Sequence, residues 1–459
     1  MILARLLTPE EIGIFSLCAA FLAIASIFRD FGVSEYIIQE KDLTKEKLSG
    51  AFALTAISAW SMALLLYLAR PAIADFYNEP ALTDILNILC INFLILPLAS
   101  PAFAVLNREM AFRSIFIIQL STTAVHAIVA VGLAMQGHSY MSLAWASLLS
   151  IVAQTLIITF FRPKYSMILP NPRYMSHVWK FGLMFSSSRT IEVVMNNSHE
   201  FIIGRQFGFE ALGLFSRALG LINLFWQNVT SAITRVAAPA FASTHRQSTE
   251  DLQFLYKKSV SIFTVIAWPF FCFAIFESKG IILLLFGDQW LAAAPITSIM
   301  ATGTLIGSVC ALAPNVLIAT GQVKRRLHIS LMVAPVHIVG VTIASFFDLW
   351  AIASVWIFGS VFALALYNYH LSKTIGFSYR QIIESAKESA LVALACTAVL
   401  LVVTQALNTT GMNALIMLPI KAFFFSLVWL FAIYIFKHPI RSEIDGLLIQ
   451  VKGKLAKRS

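Results

Sequence analysis

The stretch Ile115-Phe-Ile-Ile-Gln-Leu-Ser-Thr-Thr-Ala-Val-His-Ala-Ile-Val-Ala-Val-Gly-Leu-Ala134 contains no Asp, Glu, Lys or Arg. About 20 such residues, rising about 1.5 Å each in a helix, cross a hydrocarbon core of about 30 Å. Ala414–Ile435 is a second run, broken by one charge at Lys421. Lipid offers no partner to a backbone N–H or C=O, so a spanning segment is a helix or a strand of a closed barrel. The apolar runs here are continuous rather than alternating, which selects helices. Spans of this kind are expected near 11–33, 50–69, 84–106, 114–135, 140–161, 179–203 and 211–241. Others follow near 258–276, 291–319, 327–347, 350–370, 388–407 and 413–436. Met1–Leu7 reads as the end of one further helix. The fold expected is therefore an all-α polytopic membrane protein of about 13–14 transmembrane helices.

Composition agrees. Of 459 residues, 59% are hydrophobic and 12% charged, against about 25% charged in a soluble domain. That is too little charge to cover a water-facing surface. The net charge of +10 is explained by loops rather than by nucleic acid, which is not an expected partner. If the spans are threaded alternately, twenty-four Lys and Arg fall on one side, including Lys41, Lys45, Lys47, Arg108, Arg162, Arg173 and Lys324. Only Arg5, Arg70, Arg205 and Lys279 fall on the other. The positive-inside rule puts the basic side in the cytoplasm, with the C-terminus. The tail Arg441–Ser459 carries an apolar stripe of Ile444, Leu447, Leu448, Val451 and Leu455 and is expected to lie as a surface helix against membrane lipids. The five cysteines sit in apolar segments without a CxxC spacing, so no metal site is expected.

An internal repeat organises the chain. Arg5-Leu-Leu-Thr-Pro-Glu10-Glu-Ile-Gly13-Ile-Phe15-Ser16 returns as Arg205-Gln-Phe-Gly-Phe-Glu210-Ala-Leu-Gly213-Leu-Phe215-Ser216. Pro101 and Arg113 are echoed by Pro314 and Arg326. Even numbers of spans separate the copies, so the halves share one orientation, and transporters place substrate near the interface of such repeats. The organisation expected is an N-terminal lobe over 1–175 and a C-terminal lobe over 176–375 around a central cavity. An extra helix pair over 376–436 and a basic cytoplasmic tail over 437–459 follow.

The run Ile2-Leu-Ala-Arg-Leu-Leu-Thr-Pro-Glu-Glu-Ile-Gly13 resembles the opening signature of Wzx-type polysaccharide flippases, of the multidrug/oligosaccharidyl-lipid/polysaccharide exporter superfamily. Further matches keep the same order: Asp30-Phe-Gly, Ile37–Leu43, Ile73–Pro80, Gly204-Arg205, Leu212–Arg217, Thr234-Arg-Val236 with Pro239, and Phe286–Trp290. They are similar to the colanic-acid and exopolysaccharide exporter branch and cover essentially the whole chain, most weakly after about residue 330. The resemblance implies a bacterial inner-membrane protein that moves an undecaprenyl-diphosphate-linked oligosaccharide between leaflets, alongside polysaccharide polymerase or assembly partners. It also implies two six-helix lobes and two extra C-terminal helices. The chain departs from the family in starting within the first helix, and in having His199 where the family often has Asp.

A diphosphate leaving water needs cations, and the planar guanidinium fork matches phosphate oxygens. An unpaired Arg inside a bilayer costs about 2.5–3.5 kcal/mol on insertion scales, so Arg in a span is a candidate for function. Arg189, Arg29, Arg217 and Arg235 are the candidates. Arg189, Glu192, Asn196 and His199 recur at three- and four-residue spacing and are expected on one wet face. An Arg189–Glu192 pair within that helix is the competing expectation. Asp30 adds a carboxylate, and His199 with Glu192 could couple transport to an H+ or Na+ gradient, with no other cofactor expected. Asn223, Gln227 and Asn228 follow one helical face and suit sugar hydroxyls or interhelical bonds. No P-loop, HExxH or GxSxG occurs, so an enzyme is not expected. The alternatives are a drug/cation antiporter of the same superfamily, or a membrane glycosyltransferase or polymerase.

The charge asymmetry gives a direct test of topology. A fluorescent-protein fusion at Tyr174 should be bright and an alkaline phosphatase fusion at His138 active; the reverse pattern would invert the orientation.

Overall fold

The computed structural model describes residues 2–163, 166, 169–409 and 412–446. Among them every regular element is helical. One compact unit, Met1–Ser216, holds α1 (Ile2–Leu6), α2 (Pro9–Asp30), α3 (Val33–Gln39), α4 (Lys45–Tyr77), α5 (Ala81–Ile95) and α6 (Ser100–Arg108). It continues with α7 (Phe112–Met135), α8 (Met141–Phe161), α9 (Ser176–Gln206) and the first turns of α10 (Gly208–Phe225). A second, Arg217–Ser459, holds the rest of α10, then α11 (Ser231–His245), α12 (Thr249–Phe276), α13 (Ser278–Leu285), α14 (Ala293–Gly307) and α15 (Ala313–Ala319). It closes with α16 (Val323–Ala344), α17 (Leu349–Ile375), α18 (Tyr379–Asn408) and α19 (Ala414–Ile435).

Among the described residues, twelve helices are long and apolar enough to cross a membrane. They fall on twelve of the thirteen expected spans. The thirteenth is α9, which has the length, at 31 residues, but is too polar to qualify. It packs against α2 and α4. For that reason the division by packing falls after Ser216, whereas the repeat places a lobe boundary after residue 175. The expected surface helix of the tail lies largely outside the described residues, although 440–446 are helical.

The repeated signature shows why its residues recur. Thr8 caps α2 and Glu11 reaches back to the Thr8 amide at 2.7 Å, closing a capping box with Pro9 at the first helical position. In the second copy Gly208, at φ 81°, opens α10. The two helix starts then cross at their glycines. A Cβ on Gly13 would lie 1.9 Å from the Phe209 carbonyl oxygen, and one on Gly213 would lie 1.8 Å from that of Pro9. One turn on, Ser16 Oγ donates to Ser216 Oγ at 3.0 Å. Equivalent positions of the repeat thus touch each other, and only glycine permits backbones this close.

In the second unit α18 packs on α12, and α19 on α18 and α13. Where they dock, Lys421 Nζ of α19 lies 2.8 Å from Glu277 Oε1, with side chains only 8% and 10% exposed. Thr404 of α18 donates to the same oxygen at 3.2 Å. Below the last span, His438 is wedged between Ser261, Ser389 and the Ile440 amide, which donates to its Nδ1. Burial holds the imidazole neutral, its pKa pushed down to about 4.

Removing one partner of a buried ion pair strands the other charge, at a cost of about 3–5 kcal/mol. Lys421→Met should therefore lower the unfolding midpoint in detergent sharply. Adding Glu277→Gln should recover most of the loss; a double variant as weak as the single one would contradict this.

Candidate functional site

The break between α2 and α3 builds the site. Phe31 and Gly32 both take positive φ, 44° and 65°, a left-handed turn that glycine adopts without cost. The turn swings the seven-residue α3 back so that its first turn, with Ser34 and Glu35, lies against α9. So short a helix needs support. Arg108 of α6 supplies it, donating to the Ile37 carbonyl at 2.7 Å, to that of Lys41 at 3.1 Å, and to Glu40 between them. A cation on these C-terminal carbonyls also opposes the helix dipole favourably.

Between α2, α3 and α9 lies a polar cavity of about 420 Å³. Ser26 and Asp30 line it from α2, Ser34 and Glu35 from α3, and Ser186, Arg189, Val193, Asn196 and Asn197 from α9. Arg189 Nη1 lies 3.4 Å from Glu35 Oε1, and its side chain is 56% exposed. Arg29 is held differently. It grips Asp30 with two bonds, Nε to Oδ1 at 2.8 Å and Nη2 to Oδ2 at 3.1 Å. Its guanidinium lies 5.3 Å from the Phe93 ring centre and the side chain is 15% exposed. Asp30 therefore faces the cavity while Arg29 turns aside.

The expected wet face of α9 is rotated from where its spacing put it. Successive helical residues turn by about 100°. Ser186, Arg189, Val193, Asn196 and Asn197 fall within an arc of about 100° that the cavity takes. Glu192 and His199 lie about 60–80° to the other side of Arg189. Glu192 is exposed outside the cavity. His199 is buried, with its ring 5.3 Å from that of Phe215 and Nε2 3.8 Å from Glu200 Oε1. The partner of Arg189 is Glu35, not Glu192, because α3 presents a carboxylate directly on the arc.

The remaining candidates lie in the second unit. The Arg217 guanidinium is 5.2 Å from the Trp290 ring centre and 5.7 Å from that of Phe286, a cation–π clasp. Arg235 is exposed on α11. Asn223, Gln227 and Asn228 are all exposed, and the last two lie in a π-helical turn, Trp226–Thr230, between α10 and α11. Single π turns are common at functional sites and re-aim side chains; here Asn228 Nδ2 bonds back to the Leu224 carbonyl at 2.7 Å. Beside this turn an apolar cavity of about 470 Å³ is lined by Leu221, Leu224, Phe225, Pro269, Phe270, Phe425 and Trp429 among others. Among the described residues no group of three or more His, Cys, Asp or Glu is placed to hold a metal ion.

The family described as "Polysaccharide biosynthesis protein" matches residues 2–295. The teichuronic acid biosynthesis protein TuaB of Bacillus subtilis is 25% identical over 70% of this chain and 67% of its own length. The lipopolysaccharide biosynthesis protein WzxC of Escherichia coli is 23% identical over 67% of this chain and 63% of its own. The succinoglycan biosynthesis transport protein ExoT of Rhizobium meliloti is 25% identical over 67% and 62%. The chain thus spans just under or about two thirds of these relatives. Among solved structures, the lipid II flippase MurJ in an inward closed conformation superposes with a TM-score of 0.78 at 13% identity, over 96% of this chain and 95% of that one. An inward-facing multidrug resistance MATE family transporter of the MOP superfamily gives 0.66 at 15%, over 82% and 93%. At these identities the structural likeness establishes the fold.

The two ion pairs at the cavity differ in worth. An exposed single contact contributes about 0–1 kcal/mol, whereas hydrogen bonds to a charged, mostly buried group contribute about 1.5–3 kcal/mol. In detergent, Glu35→Gln should leave stability within about 1 kcal/mol of the parent, while Asp30→Asn, which removes two bonds to Arg29 from a carboxylate 42% exposed, should cost more, about 1–2 kcal/mol. Equal losses would mean that the Arg189 pair is structural.

Proposed function

The chain belongs to the polysaccharide biosynthesis protein family, and on that premise we propose that it flips undecaprenyl-diphosphate-linked oligosaccharide repeat units across the bacterial inner membrane by alternating access. It is a transporter in this reading, with no covalent chemistry of its own, and its basic loops and C-terminus face the cytoplasm. The observation that carries the proposal is the loosely held Arg189 in a polar cavity among membrane-spanning helices. Its single 3.4 Å contact with Glu35 and its 56% exposure leave most of its donors free for another acceptor. A diphosphate offers bidentate, doubly charged acceptance that one carboxylate contact does not match. Arg29, locked on Asp30, is the supporting cation rather than the exchanging one.

The rest of the substrate finds complementary surfaces. Ser26, Ser34, Asn196 and Asn197 offer donors and acceptors near Arg189 for the first sugar. Within the second unit, exposed Asn223 and Gln227 suit sugar hydroxyls, and the apolar cavity there matches a prenyl chain in chemistry. The partners of such a protein are membrane lipids and the polymerase or assembly proteins that consume the flipped unit.

A second reading has one observation in its favour. Asp30 and Glu35 both line the cavity, and two carboxylates suit a cationic drug exchanged for H+ or Na+. One experiment separates the two. The host is depleted of the protein, complemented with variants, and its lipid-linked oligosaccharides are extracted and assayed for sidedness. Arg189→Ala should leave complete repeat units facing the cytoplasm and cut polymer output at least tenfold, with Glu35→Gln close to the parent. Normal polymer with Arg189→Ala, together with dye sensitivity from Glu35→Gln and Asp30→Asn, would establish the antiporter instead. Incomplete repeat units would point to a glycosyltransferase.

A further inference from the structure

A second pocket, largely apolar with a polar end, lies in the first unit, on α4 and α5, and the flipping reading makes no use of it. It has a volume of about 510 Å³ and is walled by Trp60, Leu64, Tyr67, Ile91 and Leu94, with Arg70 and Asn87 at one end. The Arg70 guanidinium lies 3.4 Å from the Tyr67 ring centre, so a face of the cation is occupied by the ring. Its Nε and Nη1 are buried and have no hydrogen-bond partner, and the same is true of Asn87 Oδ1. Pro71, next in the chain, has no N–H to give the Tyr67 carbonyl four residues back, which leaves a further acceptor near the pocket. Trp60 has its indole N–H committed to the Leu94 carbonyl at 3.3 Å, so its ring serves only as a wall.

A half-buried cation that makes no ion pair among the described residues is costly among helices of this kind, as is each buried polar atom without a bond. One ligand class answers all of these groups. A phosphodiester takes the guanidinium N–H groups, a headgroup hydroxyl donates to Asn87 Oδ1, and an acyl chain lies along the exposed side chains of Leu64, Ile91 and Leu94. Tryptophan and tyrosine beside a basic residue also mark the level of lipid headgroups. We propose that this pocket is a specific site for an anionic phospholipid of the phosphatidylglycerol type, separate from the transport cavity. The apolar walls select a lipid over a free phosphate ion, and Arg70 selects a net negative headgroup over a zwitterionic one.

The test uses the full chain, delipidated in detergent, and native mass spectrometry with phosphatidylglycerol or phosphatidylcholine of identical acyl chains. The parent should retain phosphatidylglycerol several-fold better, and Arg70→Gln should lose one bound equivalent. Leu94→Trp, which fills the pocket but keeps the cation, should lose the same equivalent and guards against a misfolded Arg70 variant. Millimolar inorganic phosphate should not displace the lipid. Equal retention of the two lipids, an unchanged count in both variants, or displacement by phosphate would each overturn the proposal. Because Arg70 lies outside the Arg189 cavity, none of these outcomes bears on flipping.

Discussion

A polar helix packed against apolar helices of membrane-spanning length is the constraint on which this structure turns. Hydrocarbon satisfies neither a guanidinium nor an amide side chain, and α9 carries Arg189, Asn196 and Asn197 along one arc. The chain must supply water or polar neighbours there. It supplies polar neighbours by breaking its second helix: the left-handed turn at Phe31-Gly32 sends α3 back toward α9, bringing Glu35 to Arg189 and leaving a polar cavity instead of a packed seam. Arg108 on the carbonyls of α3 keeps that short helix from fraying. On the opposite flank of α9, Glu192 is exposed and His199, further along, is core, packed against Phe215.

The repeat serves packing as well as descent. Its best-preserved residues lie where the starts of α2 and α10 cross, Gly13 against Phe209 and Gly213 against Pro9, with the Ser16–Ser216 bond one turn beyond. Small residues let membrane helices approach closely, and hydroxyls bond across them. A contact built from equivalent positions asks for the same residue types on both sides, which accounts for Gly and Ser matching at one constant offset.

Hydropathy alone made twelve spans legible, because period and length are written locally. The thirteenth expected span is a 31-residue helix, α9, but it is too polar to stand among the helices able to cross a membrane by length and composition. Arg189 stands out in the sequence, since an Arg within so long a helix of such a chain is rare. Its partner does not: Glu35 is 154 residues away and reaches Arg189 only through a backbone turn that no spacing rule encodes. The same holds for Glu277 with Lys421, 144 residues apart. Three- and four-residue spacing puts His199 on the wet face only to within half a face, and the cavity is narrower than that. The π turn at Trp226–Thr230 has no signature in Trp-Gln-Asn-Val-Thr, and it decides where Gln227 and Asn228 point.

The central claim is that one arc of α9 faces water in the middle of the membrane protein while its flank does not. Cysteine accessibility tests it most directly. In a background whose five native cysteines are replaced, Val193→Cys, Asn196→Cys and Asn197→Cys should react rapidly with a water-soluble thiosulfonate, and Ser198→Cys and His199→Cys should be protected. Protection at 193, 196 and 197, or equal labelling at all five positions, would contradict the account.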